Sequence, residues 1–316
     1  MTLQSLLAAV GLAWLAAGAH AATPDAINIS YVKAPFNLQS MVMREHQLLE
    51  KEFAADGIQI HWHSINSGAQ QAQAMAAGAL DIGGVMNTTS VLLANAGGNP
   101  VKIAAGVSRP AQTFAIVSRP GATFSIEQLR GKKIAGPRGT VLHQLLVAAL
   151  ASKGIKPGEV EFISMDIPKA QTALIAGHVD AALLAAGSLV KAVEQGGTVV
   201  TTAAGLVDPV LVVSVSQAFA QKHPALLARV LKVHRAAGAW VAAHRPEAIA
   251  LGAKEQGIAL ADAKQLADWT PLMDTLSAAD IRGVKADMQF LLDHDLMKAP
   301  VAVDALLLPS ATGAAR

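Results

Sequence analysis

Six short stretches of this 316-residue chain hold the residues best suited to gripping a small polar molecule. They are Lys33-Ala34-Pro35-Phe36-Asn37-Leu38-Gln39, Asn66-Ser67-Gly68-Ala69-Gln70, Met86-Asn87-Thr88-Thr89-Ser90, Pro137-Arg138-Gly139-Thr140-Val141, Asp166-Ile167-Pro168 and Ala185-Ala186-Gly187-Ser188. Each follows a run with strand character and precedes one with helical spacing, so each marks the start of a helix. Taken singly, Ser, Thr and Asn at such a place read as helix caps. Together they describe a chemistry, because a helix start presents unpaired N–H groups and the positive end of its dipole. Several such starts facing one cleft would hold an anion with little formal charge. Arg138, Arg109 and Lys33 either add positive charge there or stand as solvated surface residues.

Other chemistries find less support. His61-Trp62-His63 puts two imidazoles on one face of a strand, but no third metal ligand accompanies them, so no metal is expected. His143, near the start of a helix, could serve as a general base, yet no hydroxyl nucleophile with an orienting acid stands out, and no catalytic residue is assigned. Gly83-Gly84 and Gly97-Gly98 make neither a phosphate loop nor a dinucleotide fingerprint, and no cofactor is expected. The chain has no cysteine, which excludes disulfides, thiolate metal sites, iron–sulfur clusters, a cysteine nucleophile and a lipid-anchored N-terminus. Lys and Arg number 25 against 23 Asp and Glu, without a basic run, so nucleic acid is not an expected partner.

Positioning those six stretches takes alternating strands and helices. Ile27–Val32 reads as a strand, Gln39–Ala55 as a helix, Ile58–Ile65 as a strand, 69–78 as a helix, Leu80–Val85 as a buried strand and Thr88–Ala96 as a helix. The cadence recurs with Lys132–Gly136, His143–Ser152, Val160–Ser164, Ala170–Ile175 and Val179–Leu184. Alternation of this kind implies a mainly parallel sheet covered on both faces. Two steps repeat in order: Ala55-Asp56-Gly57-Ile58 with Ser152-Lys153-Gly154-Ile155, and Ala77-Gly78-Ala79-Leu80-Asp81 with Ala176-Gly177-His178-Val179-Asp180. In each the glycine takes the place where a left-handed backbone ends a helix. The pattern points to two lobes of one architecture.

Apolar runs at Ala111–Arg119 and Leu206–Gln217 flank the ends of the second half, so the chain is expected to cross between lobes twice. The division expected is lobe 1 from 26–107 and 205–316, and lobe 2 from 108–204. Beyond Gln217 helices are expected at Pro224–Ala243, Pro246–Gln256, Asp262–Trp269 and Ala278–His294, the last opened by a capping box of Ser277 and Asp280. The first residues read as an export address, with a single N-terminal anchor helix as the other reading, since no Lys or Arg precedes the apolar run. Met1–Ala21 carries no charge, has an apolar centre and ends Ala19-His20-Ala21, the form of a secretory signal peptide. Removal would leave 316 − 21 = 295 residues, exported. Later apolar runs are too short to span a bilayer.

The chain resembles the solute-binding proteins of bacterial ABC importers for alkanesulfonates, taurine and nitrate, and the related thiamine-precursor (pyrimidine) binders. Gln128 to Leu146, QLRGKKIAGPRGTVLHQLL, is similar to that family's "dLkGKkva…kGssahnLl"; Gln73–Gly83, Ile175–Ala181 and the tail from Ala220 through Ala248 also match. The resemblance implies an α/β chain with the type II periplasmic binding protein fold, two doubly wound lobes joined by a two-segment hinge. It implies a monomer that binds a small organic anion, most readily an aliphatic or aromatic sulfonate, and delivers it to a permease dimer. Carried over by position, oxyanion contacts fall on Ser67, Gly68, Gln70, Asn87, Thr88, Gly139, Thr140 and His143. The loop holding Lys33, Asn37 and Gln39 would close over the ligand. Where many sulfonate binders carry Trp-x-x-Trp-Asp-Pro-Tyr, this chain has Ala182-Leu183-Leu184-Ala185-Ala186-Gly187-Ser188, with Ser188 facing the cleft. Loss of the acid there disfavours taurine's ammonium and favours a bulkier or more apolar anion. The alternatives are a thiamine-precursor (pyrimidine), nitrate or taurine binder of the same fold, or an enzyme or a receptor-coupled sensor built on it, and the lack of cysteine and the signal peptide weigh against the enzyme.

Overall fold

The computed structural model describes residues 23–314. The expected signal peptide, 1–21, lies outside them. The first half runs β1 (Ala26–Tyr31), α1 (Leu38–Glu45), α2 (Leu48–Phe53), β2 (Gln59–Ser64), α3 (Gly68–Ala76), β3 (Ile82–Asn87), α4 (Thr88–Ala96) and β4 (Val101–Ser108). The second half runs β5 (Phe114–Ser118), β6 (Lys133–Gly136), α5 (Val141–Ala151), β7 (Glu161–Ser164), α6 (Ile167–Ile175), β8 (Ala181–Ala185), α7 (Gly187–Glu194) and β9 (Thr198–Thr202). The tail follows with β10 (Leu211–Ser216), α8 (Gln217–Lys222), α9 (Pro224–Ala243), α10 (Arg245–Gln256), α11 (Leu260–Asp268), α12 (Ala278–Asp293), α13 (Val303–Leu306) and α14 (Pro309–Thr312).

The strands form two five-stranded sheets, ordered β2-β1-β3-β10-β4 and β7-β6-β8-β5-β9. The orders are equivalent, strand for strand. The sheets are mixed rather than mainly parallel: β10 runs antiparallel to β3 and β4, and β5 antiparallel to β8 and β9. The apolar runs expected only as crossings thus turn out to be strands. β4 and β9 both end on the side where the sheets face each other, and only residues 109–113 and 203–210 connect each to the opposite sheet. A link that short enters the new sheet at the carboxyl end of its parallel strands, so the strand it feeds must run backwards.

The internal repeat is visible at the atomic level. Gly57, Gly78, Gly154 and Gly177 all have φ between 65° and 70° or just above, at 70°, 70°, 65° and 72°. Gly78 N–H donates to Met75 O and Gly177 N–H to Leu174 O, closing α3 and α6 in the same way. Asp81 and Asp180 then do one job at the foot of each sheet. Asp81 accepts from Asn28 N at 2.8 Å and Asp180 from Lys133 N at 3.0 Å, tying β3 to β1 and β8 to β6.

Burial explains the composition. All residues of β5 and of β8 are buried, which requires the continuous apolar runs of strands covered on both faces. α5 buries all but its last residue, so it has no polar face to display. Each large side chain buried this way contributes about 1.5–3 kcal/mol. One expected element divides: the Gln39–Ala55 helix breaks at Gln47, where φ is 52°, into α1 and α2. The turn lets α1 lie along α9 and α10 while α2 redirects Leu49 and Phe53 into the core. Among the described residues, no helix is long and apolar enough to cross a membrane.

Candidate functional site

The carboxyl ends of the parallel strands in both sheets converge on one chamber, the position an open α/β sheet favours for a ligand. It is narrow, with a cavity volume of about 30 Å³, and its polar lining is Asn66, Gln71, Asn87 and Thr140. Val32, Pro35, Val85, Met86, Phe114, Leu142, Ile167 and Leu211 supply much of the apolar wall, and no charged side chain lines it. Charges stand at its two mouths. On one side are Arg138, Asp166 and Lys169, and on the other Lys33, Lys191 and Glu255.

Helix starts face this chamber, but they are not equivalent. Asp166 accepts from Lys169 N at 2.9 Å, so a carboxylate already occupies the start of α6. Asn87 caps α4 by accepting from Ser90 N at 2.9 Å. The caps of α3 (Ser67), α5 (Thr140) and α7 (Ala186) give their helices no side-chain acceptor. Thr140 has its hydroxyl turned away, donating to Pro137 O at 2.8 Å. Ala186 has none, and it sits at φ 47°, ψ −125°, a conformation costly for any residue with a Cβ. Among the described residues, the first three N–H groups of α3 and the second and third of α5 therefore keep no partner. Positive helix ends with free amides in a largely apolar, uncharged pocket are suited to an oxyanion.

Asn87 joins the halves. Its Oδ1 also accepts from Val141 N at 3.2 Å, the first residue of α5. Ser90 Oγ donates to Gly139 O at 2.9 Å alongside. The Nδ2 of Asn87 makes no hydrogen bond among the described residues, which leaves a donor on the chamber wall. Gly68 is needed for this closeness: a Cβ there would stand 2.5 Å from Ser90 Oγ. Gly139, at φ 70°, turns the chain into α5.

The expected site residues separate into groups. Gly68, Asn87 and Thr140 line the chamber itself. Ser67, Gln70, Arg138 and Gly139 line the trough at one mouth, and Lys33 and Ser188 the other. Thr88 is buried with its N–H donated to Val210 O, outside the chamber lining. His143 lies behind the Gly139–Thr140 turn, its ring packed at a tilt against Phe162 with centroids 4.7 Å apart. Burial and then the Arg138 charge lower its pKa to about 4, so it is a neutral imidazole at physiological pH. Arg109 is spent on Asp280, with Nε–Oδ1 at 2.6 Å, and holds the start of α12. Asn37 is fully buried and donates to Val32 O, bracing its own loop. Gln39 is buried and lines a separate interior space beside His234, outside the chamber lining. Asn66, the first residue of the second expected stretch, lines the chamber with a buried Oδ1, whereas Gln71 was not foreseen. Gln71 reads as a helix-face residue in sequence, yet it is 1% exposed, accepts from Ser30 Oγ and donates to Ile65 O and Val85 O.

Known proteins place this architecture. An aliphatic sulfonates-binding protein of Escherichia coli (strain K12) is 27% identical over 255 residues, 80% of this chain and 79% of that protein. The taurine-binding periplasmic protein of the same organism is 31% identical over 172 residues, about half of each chain (53% of both). In structure, the alkanesulfonate-binding protein of Xanthomonas axonopodis pv. citri, bound to MOPS, superposes with a TM-score of 0.80 at 22% identity, covering 91% of this chain and 99% of that one. A desulfurization enzyme shares the fold more distantly, with a TM-score of 0.65 and 17% identity over 90% of this chain and 97% of that one. These matches give a periplasmic binding protein fold with two equivalent sheets. The family model described as NMT1/THI5 like matches residues 53–248, more than half the chain and most of the walls of the chamber, and the chain belongs to that family.

Proposed function

We propose that this chain is the periplasmic substrate-binding component of an ABC importer, and that it holds a small organic anion, most readily a sulfonate, between two lobes. The observation that carries this reading is the uncharged chamber onto which the uncapped starts of α3 and α5 open. Backbone N–H groups and the Asn87 amide grip the oxyanion, and the apolar wall takes the organic part. The lobes are 26–107 with 205–316, and 108–204, and the two short crossings form the hinge. Residues 1–21 act as a cleavable export signal, the exported chain is a monomer, and the closed form is what the permease dimer receives.

The chamber's lining supports binding rather than turnover. It contains no histidine, serine or lysine, and the chain holds no cysteine, so a nucleophile paired with a base is not provided there. The lining also supports an apolar anion over a zwitterion, because the nearest carboxylates, Asp166 and Glu255, stand at the mouths and not in the chamber. Thermal melts and calorimetry with alkanesulfonates, aromatic sulfonates, taurine, nitrate and pyrimidines test this. One class should give a saturable upward shift, worth about 2.7 kcal/mol at a hundredfold excess over Kd. Conversion of any of these compounds would overturn the binding-only reading, and a shift with pyrimidines alone would overturn the anion.

A further inference from the structure

Two buried side chains, Thr89 and Gln144, and the half-buried Asp287, from three different helices, meet beside the chamber without lining it. Thr89, the second residue of α4, donates from Oγ1 to Gln144 Oε1 at 2.6 Å. Gln144, one turn into α5, donates from Nε2 to Asp287 Oδ1 on α12 at 2.6 Å. Thr89 and Gln144 are 1% and 2% exposed, so water competes little for either bond. The direction of the chain of bonds is dictated from one end. An ionised carboxylate only accepts, so Gln144 must turn its NH2 to Asp287 and its oxygen to Thr89, and Thr89 must donate. Gln144 is the fourth residue of α5, and fixing it fixes the turn that carries the free Leu142 and His143 amides. The relay runs parallel to the Asn87–Val141 and Ser90–Gly139 bonds, so four polar links join α4 and α12 to the start of α5.

We propose that Thr89, Gln144 and Asp287 are positioning residues of the anion site: their relay sets the spacing between the starts of α4 and α5, and so how tightly the lobes close. This rests on the anion-binding reading above for its ligand, but not for its geometry. A relay across the lobes costs little to form and much to leave half made, because an orphaned buried amide loses its solvation without repayment.

The test uses the exported chain near pH 8 with pentane-1-sulfonate as probe, and Thr89→Val, Gln144→Leu, Asp287→Leu and Asp287→Asn as variants. Gln144→Leu and Asp287→Leu should weaken binding about tenfold, mainly through faster release, and Thr89→Val by less. Asp287→Asn keeps an acceptor and should stay within about threefold of the parent, a rescue that mere space-filling would not produce. Small-angle scattering without added ligand gives the independent arm: the two leucine variants should show a larger radius of gyration than the parent and Asp287→Asn. Unchanged scattering in folded leucine variants overturns the relay, as does an Asp287→Asn protein no better than Asp287→Leu. If the leucine variants do not fold, unaltered release and scattering in Thr89→Val overturns it. Expanded leucine variants in a protein that binds no sulfonate uphold the relay and overturn the ligand class alone.

Discussion

Asn87 and Arg109 show how differently two polar residues of one site reading can end. Asn87 caps α4, accepts from the first amide of α5 and keeps a donor on the chamber wall. Arg109 sits at the first crossing and spends its charge on Asp280, away from the chamber. Asn87→Ala should therefore weaken anion binding by at least about tenfold in calorimetry, with about 1 kcal/mol lost from stability for the missing cap. Thr140→Ala should have a smaller effect, because that hydroxyl already donates to Pro137 O. Arg109→Ala should leave affinity within about twofold and lower the melting temperature by the equivalent of about 1 kcal/mol, after allowing for the solvent exposure of the guanidinium. Asp280 shows the same pairing from the other side. Burial pushes its carboxyl up, but the bonds from Arg109 and Ser277 outweigh this and hold it at about 2. Asp287 goes the other way: burial first, and Asp208 third, raise it from 3.8 to about 6, against the bond from Gln144. A carboxyl raised on folding favours the folded state at low pH and loses that contribution as pH rises from about 4 through 6. The melting temperature of Asp287→Asn should then match the parent near pH 4, exceed it increasingly through about pH 6 and hold a level difference to pH 8, as read by circular dichroism. A constant difference would mean the carboxylate is not the cause.

At the level of elements, helix starts are where this chain invests its small polar residues, and close approach decides which of them can act. α3 reaches α4 only because Gly68 has no side chain to collide with Ser90. Gly68→Ala should cost about 1–3 kcal/mol in denaturant unfolding and disturb the α3 amides enough to abolish measurable anion binding. A variant as stable and as tight as the parent would place the site elsewhere. Gly187 answers to a similar constraint at the far mouth, where a Cβ would collide with the Gln256 side chain on α10. The strained backbone of Ala186 just before it aims the start of α7 at the same opening. Such elements were legible early because caps and helix-ending glycines are local. Thr88–Ala96 and Pro224–Ala243 lie where their periodicity put them, and Ser277 with Asp280 forms the expected capping box. The antiparallel strands were not legible. A buried strand and a buried crossing share one apolar signature, and only the shortness of the links 109–113 and 203–210 forces β5 and β10 to run backwards.

At the scale of the molecule, the two equivalent sheet orders explain why one chain can build a chamber with so little charge. Each half contributes its parallel carboxyl ends, and the facing arrangement doubles the number of helix starts without any basic residue in the wall. The amino-acid sequence by itself determined the α/β cadence, the repeat at Gly57, Gly78, Gly154 and Gly177, and the helix starts at Ser67, Asn87 and Thr140, because capping and left-handed glycine are properties of a few neighbouring residues. The tertiary structure alone decided that Gln71 faces the chamber, that His143 stands behind its turn, that Gln39 points into the interior and that Arg109 is paired with Asp280. The physical reason is distance along the chain. Arg109 and Asp280 are 171 residues apart and Gln144 and Asp287 143, and bonds over such separations are set by how packed layers meet, which no local pattern records.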